Sequence, residues 1–126
     1  MGLDRKYLLC AMVYIVLGMG LGVYMGASKD HRLFVAHAHI LLVGFVVSFI
    51  YGAIHKLWLG RVGKGLATTQ FLLHQIAAAV MLAGLVLMFG GYVAEPTIGP
   101  VLGISSVGVF IAALLMLFMV FKSAKS

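Results

Sequence analysis

The sequence predicts an all-α bundle of four membrane helices, and three observations carry that reading. Of 126 residues, 63% are hydrophobic and only 10% charged, against about 25% charged in soluble domains; mean hydropathy is +1.16. Four apolar runs, 7–26, 34–57, 67–89 and 99–121, each supply about the 20 residues that a bilayer core demands. The stretches between them, 27–33, 58–66 and 90–98, are too short to hold a further domain. A single four-helix transmembrane domain over 1–126 follows, and any chemistry has to sit within its helices.

The first run follows Arg5 and Lys6 and ends near Gly26, Ala27 and Ser28, as a secretory signal would. Its apolar part exceeds the roughly 7–15 residues of a cleaved segment, so it reads as a retained span. Gly18, Gly20, Gly22 and Gly26 give it overlapping Gly-x-x-x-Gly spacings, which admit another backbone closely. Ordinary helix packing is the plain reading of these glycines and a subunit seam the sharper one.

A net charge of +6 suggests nucleic acid only until the cations are located. Arg5, Lys6, Lys56, Arg61, Lys64, Lys122 and Lys125 fall at the termini and second loop, and only Lys29 and Arg32 on the other side. That asymmetry is topological and places both termini in the cytoplasm. The expected location is the inner, cytoplasmic membrane of a prokaryote, with the lipid bilayer as partner and no role in nucleic-acid binding. The lone Cys10 can form no internal disulfide.

The second run holds the most informative residues, His37 and His39, one residue apart in a segment otherwise fit for lipid. Ionisable side chains at membrane depth are costly and mark functional sites by default. On a helix the two rings project about 200° apart, so one chain cannot turn both onto one metal ion. Two sites or two subunits are implied. Gly44, Ser48, Tyr51, Gly52 and His55 return to within about 60° of His37, forming a small, polar stripe expected inside the bundle. His39 shares its face with Leu42, Val43, Val46, Ile50, Ala53 and Leu57, a face that meets lipid in an isolated copy. An oligomer interface or a bound cofactor would remove that anomaly.

The third run carries His74 and Gln75, most simply a histidine and an amide hydrogen-bonding between helices. His74 lies roughly 16 Å in depth from His39 at 1.5 Å per residue, so these two cannot share an iron. His55 is closer to it in depth. In the fourth run, Pro96 and Pro100 bracket the start of the helix, Glu95 reads as a solvated turn, and nothing suggests chemistry. Asp30 and His31, in the first loop, are explained by ion pairing and headgroup contact.

Imidazole ligates haem iron, zinc or copper. Structural zinc needs four close donors, which are not assembled here, and the scattered methionines read as packing. A flat, apolar porphyrin that needs one or two axial histidines is the better match.

His37-x-His39, followed by Gly44, Gly52 and His55 at seven, fifteen and eighteen residues beyond the first histidine, resembles the tenth helix of subunit I in the haem-copper oxidases. The spacing is most similar to the class that uses haem b throughout, in which an aromatic residue follows the first glycine, as Phe45 does here. The similarity runs from about Arg32 to His74, less than half the chain. It implies axial-ligand roles for His37 and His39 toward haem b, and a terminal oxidase-like or nitric oxide reductase-like setting of electron transfer or diatomic gas binding. Where that subunit has twelve helices in three arcs, this chain resembles a single arc, and a homotrimer would restore twelve. His39 of one copy and His37 of the next, differing in height by about 3 Å, would then clamp one haem at each interface, with Arg32 and Lys29 available to its propionates.

The chain lacks the adjacent His-His pair and the His-x-x-x-Tyr that hold the family's copper centre. Tyr51 and His55 have the four-residue spacing in reverse order and, with His74, form only a subordinate candidate for a second metal such as copper. Two alternatives from other classes stay open: a haem or metal carrier or sensor, and a non-haem accessory membrane protein whose histidines only brace helices.

Overall fold

A computed structural model describes residues 1–123 of the chain, and Lys125 lies outside the described residues. The helices are α1 (Leu3–Ser28), α2 (Phe34–His39), a π-helical segment (Ile40–Val46), α3 (Val47–Leu57), α4 (Lys64–Phe89) and α5 (Glu95–Ser123). The middle three are continuous and form one span, so the molecule has four helices long and apolar enough to cross a membrane. It is an all-helical, multi-pass membrane protein.

Three of the spans run past the apolar stretches by a few residues at one or both ends. Asp4 and Glu95, each in a first turn, complement the partial positive charge of a helix N-terminus and let it begin in the polar zone. Pro96 and Pro100 consequently lie inside α5, not ahead of it. Pro96 sits in the first turn, where no amide hydrogen is needed; Pro100, a turn further in, forgoes the bond to the Pro96 carbonyl. α1 stops at Lys29, whose backbone takes the left-handed conformation (φ 62°) while its N–H caps the Met25 carbonyl.

The second span departs from uniform α-helix. At its π segment the Val47 N–H reaches back five residues to the Leu42 carbonyl. Wider winding turns the chain through less than 100° per residue, so Ser48, Tyr51 and His55 are rotated relative to a continuous α count from His37. Gly44, Ser48, Tyr51 and Gly52 are nonetheless buried and His55 is half-buried. Both glycines serve the contact with α1: a Cβ on Gly44 would stand 2.6 Å from the Tyr14 ring, and one on Gly52 would stand 3.1 Å from the Asp4 carbonyl oxygen.

α1 packs along the second span and α4 along α5, with α4 also touching α1 and α2. Small residues set the α4–α5 approach, where Gly108 faces Ala77 and Gly84 faces Leu102. One half of the interior gathers Tyr7, Tyr51, Leu59, Ala67, Met116 and Met119. The other gathers Ala36, Ile40, Met81, Leu82 and Leu85. The Gly60 N–H donates to the Ser123 carbonyl at 2.6 Å, tying the second loop to the end of α5 on the face where α1 begins. Val16, Val23, Ile76, Ile104 and Leu117 point outward, the arrangement expected where the surrounding solvent is lipid.

Candidate functional site

Ala36 and Ile40 lie on one side of the second span and bury against Met81, Leu82 and Leu85 of α4. That contact fixes the rotation of α2 and so aims His37 at α1. There the His37 Nδ1 lies 2.8 Å from the Gly18 carbonyl oxygen. A carbonyl only accepts, so in the neutral ring Nδ1 carries the proton and Nε2 keeps a bare lone pair. Gly22 completes the seat: a Cβ there would stand 2.9 Å from His37 Cε1. The overlapping glycines of α1 thus divide, Gly18 and Gly22 receiving the second span while Gly20 and Gly26 have nothing within 4 Å.

His39 is held differently to the same effect. Its Nδ1 donates to the Val35 carbonyl, one turn back on its own helix, at 2.8 Å. Both rings are half-buried. Neither Nε2 has a partner among the described residues, and neither is sealed from the surface. Because Phe34–His39 is regular α-helix, the rings diverge by about 200° around its axis, and each presents its free nitrogen to a different side.

Arg32, expected near the same end, is engaged elsewhere. Its Nε and Nη2 both donate to the Asp30 carboxylate, the latter at 2.9 Å, and the Arg32 side chain is 69% exposed. The guanidinium holds the Asp30 carboxyl below its ordinary range. Lys29 and His31 are exposed.

Tyr51, His55 and His74 meet in the other half of the bundle, where they join two residues that sequence reasoning passed over, Tyr7 and Gln70. The Tyr7 hydroxyl donates to Gln70 Oε1, and Gln70 Nε2 donates to the Ala112 carbonyl at 3.1 Å, so one amide joins α1, α4 and α5. Tyr7 stacks on His55 at 5.8 Å between ring centroids and lies 6.5 Å from His74. Tyr51 meets His74 edge-on at 5.2 Å. Gln70 could have been found, since it stands one turn before His74 on the same face of α4. Tyr7 carried no signal beyond that of an aromatic residue at a membrane boundary.

Of the interhelical hydrogen bonds expected of His74 and Gln75, the amide's forms: Gln75 donates to Ser48 Oγ of α3 at 3.0 Å. The imidazole's does not: both nitrogens of the fully buried His74 lack a partner among the described residues, as does His55 Nε2. No group of three or more His, Cys, Asp or Glu side chains converges as metal donors among the described residues.

No protein-family model, curated protein or solved structure matches this chain. Its own geometry is what carries a functional reading.

Proposed function

We propose that this chain is a membrane haem b protein resembling subunit I of the haem-copper oxidases, and that it works in electron transfer as a homotrimer. His37 of one copy and His39 of the next would hold one haem at each interface. The observation that carries this reading is the common state of the two imidazoles: Nδ1 anchored on a backbone carbonyl, Nε2 bare and accessible. Metal-bound histidines almost always donate their other N–H to such a group, which fixes tautomer and ring direction.

The surroundings suit the same group. Leu42 and Val46 lie exposed along the second span below the histidines, and an apolar macrocycle against them would exclude lipid and water alike. Bound between two imidazoles, haem would supply reversible one-electron transfer. The protein's part is orientation: Ala36 and Ile40 lock α2 on α4, Gly18 and Gly22 seat His37, and Val35 holds His39. Rings on opposed sides favour a head-to-tail ring of copies over a two-fold dimer. At the same end, Lys29 is exposed, whereas Arg32 would have to share its carboxylate partner to reach a propionate. The donor set gives copper no comparable support. The charge asymmetry supports an inner-membrane location with both termini cytoplasmic.

The test is the visible spectrum of protein purified from haem-supplied membranes, alongside its mass in detergent. A Soret band with split reduced α and β bands is expected, abolished or altered by His37→Ala and by His39→Ala and retained in His74→Ala. A shift with carbon monoxide would replace electron transfer by gas binding at an open position. A folded protein without a Soret band would overturn the proposal, and a monomer would leave His39 without its partner.

A further inference from the structure

Three imidazole nitrogens, both of His74 and Nε2 of His55, are buried without a partner among the described residues, and all lie in the cluster around Tyr7 and Tyr51. An unpaired buried polar atom costs about 1–3 kcal/mol, and such groups in folded proteins are ordinarily satisfied by an internal water when no side chain reaches them. From this geometry we infer that the cluster encloses a hydration site inside the bundle, its water held by His74 and reached past His55 from the face where α1 begins.

His55 is built for that passage. Its Nε2 is sealed inside, while its Nδ1 is not among the sealed atoms. One ring therefore has a nitrogen on each side of the boundary, as a proton-shuttling imidazole requires. At the same end of the bundle a groove of about 450 Å³ between α1 and α3, apolar along Leu8, Phe49, Ala53 and Leu57, carries Asp4, Arg5 and Lys56, the last adjacent to His55 in sequence. Inside, the unpaired nitrogens of His74 and His55 themselves supply polar atoms, in keeping with the two to four polar partners an internal water needs. The site uses neither His37 nor His39 and stands whether or not haem is bound.

Hydrogen exchange at the His74 ring tests it, read by NMR on full-length protein carrying ¹⁵N-histidine and ¹⁵N-glutamine in lipid nanodiscs, with His74→Phe and Gln70→Leu assigning the signals. The His74 N–H is expected to exchange with D₂O at once, while the Gln70 amide hydrogens, bonded to Ala112, persist and show that the bundle has stayed closed. His55→Phe is expected to slow the exchange by about tenfold or more, and His55→Gln to restore it. A His74 N–H that survives in D₂O in the native protein would overturn the inference without any variant. So would unchanged exchange in His55→Phe.

Discussion

His37 Nδ1 and the Gly18 carbonyl oxygen lie 2.8 Å apart across two helices and nineteen residues of sequence. This bond decides which ring nitrogen remains free, and it exists because the neighbouring Gly22 has no side chain to displace the ring.

Gly22→Ala would place a methyl 2.9 Å from His37 Cε1, and the imidazole would have to leave its seat. Overpacking of this kind costs about 1–3 kcal/mol. Thermal unfolding in detergent should show that loss together with a changed His37 ¹⁵N shift. Gly20→Ala meets nothing within 4 Å and is expected to leave both readings unchanged or slightly raise stability; equal behaviour of the two variants would argue against the seat.

Tyr7→Phe removes the hydroxyl that Gln70 Oε1 accepts from, in a residue with 0% exposure. A loss of about 1–2 kcal/mol is expected, at the upper end of interhelical hydrogen bonds in membranes. Adding Gln70→Leu should cost less than the sum of the single changes, since the orphaned amide oxygen leaves with it. Additive losses in that double-mutant cycle would mean that the two groups do not interact.

The Asp30 carboxyl should titrate below its ordinary value of 3.8, because the Arg32 guanidinium bonds its charged form. Its folded pKa is the lower one, so this pairing supports the folded loop above the unfolded value and is lost as pH falls through the folded value. Arg32 is exposed on the loop and Asp30 half-buried. NMR titration should return the midpoint toward 3.8 in Arg32→Gln; a midpoint that does not move would remove Arg32 as the cause.

Lys29 holds φ 62° at the end of α1, a region that costs an L-residue with a Cβ about 1–2 kcal/mol and costs glycine little. Lys29→Gly is expected to raise stability by up to about 1 kcal/mol after the entropy glycine loses on folding. Gly91, at φ 81°, predicts the opposite sign on substitution by Ala. Unfolding midpoints of the two variants should move apart.

Much of the molecule is legible in its sequence. Hydropathy locates the four spans because bilayer thickness fixes the length of apolar chain required, and the inward stripe of Gly44, Ser48, Tyr51 and Gly52 is indeed buried. Helix ends are less legible, because Asp4, Glu95 and the prolines let backbone hydrogen bonding continue past the apolar stretch. The π segment has no counterpart in composition: Ile40–Val46 is as apolar as the turns around it. Gln70, not His74, is the polar side chain of α4 that joins α1 and α5, and that outcome depends on where Tyr7 of α1 and Ala112 of α5 arrive.

The divergence of His37 and His39 belongs to the sequence alone, since two residues of α-helix separate their rings whatever surrounds them. What each ring nitrogen touches was settled only by tertiary structure. The Gly18 carbonyl, the Gly22 gap and the orphaned nitrogens of His74 arise from contacts between distant segments, and such contacts depend on how closely small residues allow helices to approach.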